Sequence, residues 1–216
     1  EPRRIDGAPG LWSSDGESIG ATGVGGPDLE IAAGDSAPLG DLRIQAVRRN
    51  GRLAARVLDP SARNRTALEG IDAYEWDPAW RITGTFDPAP QRLRVQQADG
   101  DETDFPVAGR VVFSVDGREV SLLGFRTDRG LHVTFADETN GRETAQFRFL
   151  DVELPGGHES ARPVVLDFNR AYLPPCSFGP AYLCPLPPFE NRLAIAVRAG
   201  ERRQRYADEG PASETR

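Results

Sequence analysis

The sequence predicts an all-β protein, an antiparallel β-barrel or β-sandwich of about ten short strands with one long Pro/Cys-rich loop. Three observations predict it. Short runs of alternating apolar and polar residues recur between turn-forming Gly, Pro, Asn and Asp. Two of the intervening turns, Asn50-Gly51 and Asp116-Gly117, are the dipeptides that favour a type I′ two-residue hairpin. Helical periodicity is nearly absent.

Residues 1–40, rich in Gly, Ser, Asp and Pro, read as a loosely packed extension of short strands and turns, with Leu11, Trp12, Ile19, Val24 and Leu29 as anchors. A β-rich core domain is expected over 41–200. Its strands are 43–49 and 52–58 around Asn50-Gly51, then 80–86 and 92–97, broken by prolines. A meander follows, with 109–115 and 118–125 around Asp116-Gly117 and 131–136 as the next antiparallel neighbour. Strands at 147–154, 163–168 and 193–198 complete the set. The polar tail 201–216 is expected to hold a helical turn or two after Gly200 and to be disordered over 210–216.

Composition removes several functions. With 38% hydrophobic and 27% charged residues the chain is an ordinary globular sequence, and no apolar run approaches the roughly 18 residues of a membrane helix. A net charge of −7 opposes a nucleic-acid surface, which needs clustered excess positive charge. All 26 basic residues are arginine. Schiff-base chemistry and the lysine-dependent phosphate loops therefore have no residue here. The arginine-only composition is that of a high-GC bacterial genome, and a cytoplasmic location is expected. The chain opens at Glu1 and contains no Met, so residues are expected to precede it, with any signal peptide among them.

The most specific stretch is 166–193, which holds both cysteines and six prolines. A loop this long inside a domain is uncommon unless it binds, lids a site, or is held by its own side chains. Asp167, Asn169, Arg170 and Tyr172 stand at its entrance; Glu190, Asn191 and Arg192 stand at its exit. If the flanking strands pair, these groups meet at one rim. They would then bind a small polar or anionic molecule in a pocket shaped by the 167–192 loop, or brace the loop's backbone groups. Arg56, Asp137 and Arg148 complete the residues expected to line or brace this site.

The alternative is a hydrolase-like enzyme. Cys176 or Cys184 would act with His132 or His158, or Asp167 and Glu190 would serve as a paired acid and base. The seven residues between the cysteines suit neither a zinc knuckle nor a thioredoxin-type motif, and no metal or cofactor is expected. The cysteines read first as buried thiols, then as a disulfide, then as metal ligands. Tyr74, Trp76 and Trp80 form an aromatic knot that reads as a plug beneath a barrel end or as a stacking platform. Arg48, Arg49, Arg52 and Arg56, with Arg63 and Arg65 beyond, read as a solvated strand face.

The 166–193 segment resembles the closing signature of an uncharacterised prokaryotic family, domain of unknown function 1684. Upstream elements also match: Arg56 to Asp59, Arg65-Thr66, Gly70, Tyr74 to Trp80, Phe135 to Asp137, Thr139, Gly141 and Thr144. The resemblance covers 42–201 and implies a β-rich domain without an established activity. Members typically show a Tyr and glycines after the Thr; here Ala145, Gln146 and Phe147 precede Arg148. A His-Trp pair that members usually carry near their amino terminus does not occur in this sequence.

Overall fold

The computed structural model describes residues 1–49, 51–98 and 100–207, without the side chain of Arg49. It is mostly β, with fifteen strands in four antiparallel sheets and two compact units, Glu1–Ala67 and Leu68–Arg216. Among the described residues no helix is long and apolar enough to cross a membrane.

The first unit contains β1 (Arg3–Ile5), β2 (Ala8–Ser14), β3 (Ser18–Thr22) and β4 (Leu29–Ala32) in one sheet. A second sheet contains β5 (Ser36–Leu39), β6 (Leu42–Arg49) and β7 (Arg52–Leu58). Alternation puts Trp12, Ile19, Ala21 and Ile31 of the first sheet and Ile44 and Ala46 of the second into one core. This corrects the expected loose extension. A boundary at residue 40 would cut the β5–β6 hairpin, where Leu39 faces Leu42. Of the hairpin turn, Gly51 has φ 75° and Arg49 faces Arg52, whereas Asn50 lies outside the described residues. A short helix, α1 (Arg63–Thr66), ends the unit.

In the second unit β8 (Leu68–Ala73) is followed by β9 (Arg81–Gln96), β10 (Glu102–Val115), β11 (Arg118–Arg126), β12 (Gly130–Phe135), β13 (Arg148–Glu153) and β14 (Arg162–Asp167). The last six form a sheet in the order β13-β12-β11-β10-β9-β14, curled so that β13 and β14 approach each other as a half-barrel. Asp116 at φ 50° and Gly117 at φ 74° make the expected left-handed turn between β10 and β11. Phe86, Val111, Leu122, Val133, Phe135, Leu150, Leu166 and Phe168 fill the inside of the curl with hydrocarbon.

The prolines that divide 80–97 in the sequence do not end the strand. Pro88 and Pro90 sit where the β9–β10 register shifts between Val107 and Gly109, a bulge that tolerates the missing N–H groups. Gly109 is required there, because a Cβ would lie 2.2 Å from the Asp87 carbonyl oxygen. Two further expectations are corrected. Residues 201–206 form β15 (Glu201–Tyr206), paired with β8, so the tail after Gly200 is strand and not helix. Residues 193–198 belong to no sheet, although Leu193 and Val197 are buried as the alternation requires. Residues 208–216, including the tail expected to be disordered, lie outside the described residues.

Candidate functional site

Among the described residues of the second unit a buried polar network lies at the end of the half-barrel where β12 finishes and β13 begins. Arg148 opens β13 with its side chain directed into the curl and fully buried. Its Nη2 donates to Asp137 Oδ2 at 2.8 Å and to the Val197 carbonyl at 2.7 Å. Nη1 donates to the Ala199 carbonyl at 2.5 Å and to that of Glu201 at 3.3 Å. The guanidinium also lies 5.3 Å from the Phe135 ring centroid. Asp137 completes the pair: its Oδ1 accepts from the Thr139 amide at 2.8 Å, the Thr139 hydroxyl at 2.6 Å and the Val197 amide at 3.3 Å. Asn140 and Thr144 extend the network to the Ala145 carbonyl. Arginine suits the position because its planar fork donates in two directions at once.

These bonds explain why 193–198 does not form a strand. Its backbone partners include the side chains of Asp137 and Arg148, with single backbone bonds from Leu193 N to Ala136 O, from Glu138 N to Ile195 O and from Arg198 N to Ala196 O.

The other expected site residues have separate tasks. Asn191 is fully buried and inserts between β11 and β12 where these strands stop pairing. It accepts from the Leu123 amide at 2.7 Å and donates to the carbonyls of Leu123 at 3.0 Å and Thr134 at 2.8 Å. Asp167 accepts from the Asn169 amide at the start of a 3₁₀ turn, and Asn169 bonds both the N–H and the carbonyl of Asp77. Tyr172 donates to Asp151 Oδ2 at 3.1 Å; burial and the Asp151 carboxylate push its hydroxyl pKa well above the ordinary value. Arg170, Glu190 and Arg192 are exposed. Arg56 belongs to the first unit, on β7, and bonds Gln45 across the hairpin. Thus Asp137 and Arg148 are brought together, as are Asp167 and Asn169, but the ten residues do not share one enclosure.

The loop is a strap over the outer face of the sheet. Phe149 and Tyr172 exchange backbone bonds of 2.9 Å, Ala98 N donates to Cys184 O, and Leu186 N donates to Gln96 O. Beneath it Phe147, Phe149 and Cys184 are buried against Tyr172, Cys176 and Leu186. His132 Nδ1 lies 2.8 Å from Asp151 Oδ1 and edge-on to Phe149, while His158 Nε2 lies 2.9 Å from the Gly130 carbonyl. Neither ring is hydrogen-bonded to a cysteine in the described residues. Asp167 ends β14, and Glu190 lies in the turn docked on β11, strands separated by β9 and β10, about 14 Å along the sheet. No group of three or more His, Cys, Asp and Glu side chains suited to a metal ion occurs among the described residues.

A cleft of about 430 Å³ opens at the network's end of the barrel, lined by Trp80, Val115, Asp116, Arg118, Glu138, Ile195 and Arg198 among others. Trp80 alone of the aromatic knot plugs the barrel end, packed edge-on against Phe168 at 5.9 Å, whereas Trp76 is 66% exposed and Tyr74 bonds Glu143. At the rim Tyr74 OH and Arg198 converge on Glu143: Tyr74 donates at 2.8 Å and Arg198 Nη2 donates at 2.8 Å. The Arg198 bonds, then the Tyr74 hydroxyl, hold the Glu143 pKa down to about 2. Sequence reasoning passed over Glu143 and Arg198, which carry no motif of their own. A larger hollow of about 680 Å³ lies at the other end of β11, between the β11–β12 turn and the β13–β14 loop. Part of its polar lining is paired internally, Arg126 with Glu159 at 3.6 Å and His158 with the Gly130 carbonyl, and no Phe, Tyr or Trp lines it.

Comparison with known proteins agrees with this frame. No curated protein matches. A solved structure, the solution NMR structure of an uncharacterized protein from Haloarcula marismortui, is 30% identical; the match covers 62% of this chain and 76% of that one, with a TM-score of 0.53. Residues 66–202, more than half of the chain, match the family described as protein of unknown function (DUF1684), and the chain belongs to that family.

Proposed function

We propose that the second unit is a binding module that takes a small polar molecule, of mixed charge, in the cleft beside Trp80. The observation that carries this reading is the lining itself. An indole, four aliphatic side chains, two guanidiniums and two carboxylates share about 430 Å³, within the usual range of ligand pockets. The walls are pre-organised, since the Asp137–Arg148 network clamps the two backbone segments that carry Glu138 and Ile195. The loop 167–192 then contributes support from outside, holding the sheet that carries the cleft. The hydrolase reading lacks such support, because neither histidine meets a cysteine.

The test uses the full chain. Thermal-shift screening against amino acids, dicarboxylates and phosphate is expected to find a stabilising compound, with a complex visible by native mass spectrometry. Arg118→Ala is expected to weaken that compound about tenfold, the equivalent of one charge-assisted hydrogen bond. No stabilising compound, or one whose affinity Arg118→Ala leaves unchanged, would refute the assignment.

A further inference from the structure

Cys176 and Cys184 belong to neither the buried network nor the cleft, yet the fold holds them side by side. Cys176 sits in a 3₁₀ turn, Pro175–Ser177, at the outer edge of the strap and is partly exposed; Cys184 is buried against Phe147 and Phe149. The Cys176 amide donates to Cys184 Sγ at 3.3 Å. With an N–Cα bond of about 1.5 Å, Cys176 Cα therefore lies within about 4.8 Å of that sulfur.

We infer that Cys176 and Cys184 are a redox pair that closes a disulfide on exposure to a small disulfide oxidant and so locks the strap onto the outer face of the sheet. Three features support it. The ring closed would contain only nine residues, 176–184, with Gly179 and Pro180 in the turn between. Both ends of the ring are already fixed: the Cys184 carbonyl is bonded to Ala98 N, and Gln204 Nε2 bonds the Ser177 carbonyl. The two thiols have separate roles, Cys176 partly exposed to an oxidant and Cys184 buried beside it as the resolving group. Donation from Cys176, by its thiol and by its amide 3.3 Å away, lowers the Cys184 pKa against the effect of burial and so favours the thiolate that the resolving step needs. Donating the thiol bond, and burial, push Cys176 upward.

The chemistry balances. Cys176, the accessible sulfur, gives its proton to solvent and attacks the oxidant's disulfide, forming a mixed disulfide and releasing one small thiolate, which takes up a proton. Cys184 then loses its proton and attacks the Cys176 sulfur, forming the internal bond and releasing the second small thiol. Two protein thiols are oxidised and one small disulfide is reduced to two thiols.

The test is incubation of the folded full chain with oxidised glutathione. Cleavage after Arg170 and Arg192 releases both cysteines in one peptide, so an internal disulfide is read as a peptide two hydrogens lighter. We expect that species, no lasting glutathione adduct, and a Tm higher by about 5–10 °C that dithiothreitol reverses. Cys184→Ser is expected to stop at a glutathione adduct on Cys176. Persistence of both free thiols, a stable adduct on the parent chain, or oxidation that lowers Tm would each overturn the inference, and these readouts on the parent chain need no variant to fold.

Discussion

Replacing Arg148 with methionine is the sharpest perturbation of the buried network. The side chain has no exposed surface, and its loss removes donors from Asp137 and from the carbonyls of Val197, Ala199 and Glu201. Methionine matches the length and removes the charge, so the Asp137 carboxylate stays buried with Oδ2 unpaired. Removing one partner of a buried pair costs about 3–5 kcal/mol, even though the intact pair contributes little net stability over an apolar substitute. For a chain of this size that corresponds to a fall in Tm of about 6–20 °C. The assay is thermal and urea unfolding followed by tryptophan fluorescence in a Trp12→Phe background, so that the signal comes from Trp76 and Trp80 in the second unit. Asp137→Asn combined with Arg148→Met is expected to cost less than the sum of the two changes, because the second then removes no counter-charge. A loss under about 1 kcal/mol for Arg148→Met, or strict additivity in the double variant, would refute the reasoning.

Asn191→Ala leaves three backbone groups of Leu123 and Thr134 without their partner, and is expected to cost about 3 kcal/mol in the same assay. A cost near zero would mean that water substitutes for the carboxamide. The Glu143 pKa is lowered in the folded protein from 4.5 to about 2, so its stabilising contribution is full above pH 4.5 and is lost as the pH falls toward 2. The stability difference between the parent and Glu143→Gln is therefore expected to be constant at neutral pH and to shrink across that window. Because Arg198 is 60% and Glu143 34% exposed, the difference should also shrink in high salt; one that persists at pH 2 or in high salt contradicts the ion-pair origin.

Fold class was legible because it rests on local signals. Asp116-Gly117 dictates a left-handed turn, and the alternation on either side dictates which residues enter the curl. Bulges and tails were less legible. Pro88 and Pro90 read as a strand break, because nothing local shows that β10 shifts register at the same height. Residues 201–206 read as a polar tail, because β15 pairs with β8, far away in the chain. The site residues were hardest for the same physical reason. Residue type tells that Asp137, Arg148 and Asn191 need partners, but not whether those are a ligand or main-chain groups. Here Arg148 finds its acceptors about fifty residues downstream, and Asn191 finds Leu123 sixty-eight residues upstream. Glu143 and Arg198 were missed because only folding places them beside Tyr74.

Native-state hydrogen exchange read by NMR at the Leu123, Thr139 and Val197 amides tests most directly whether the polar groups around the strap are braces. Each of these amides donates to a side-chain oxygen of Asn191 or Asp137. As braces they are expected to exchange only through the global opening that also releases the β11–β13 core. Exchange of all three at the rate of an exposed turn amide such as Gly117, with the sheet intact, would show instead that these side chains face an open, water-filled site.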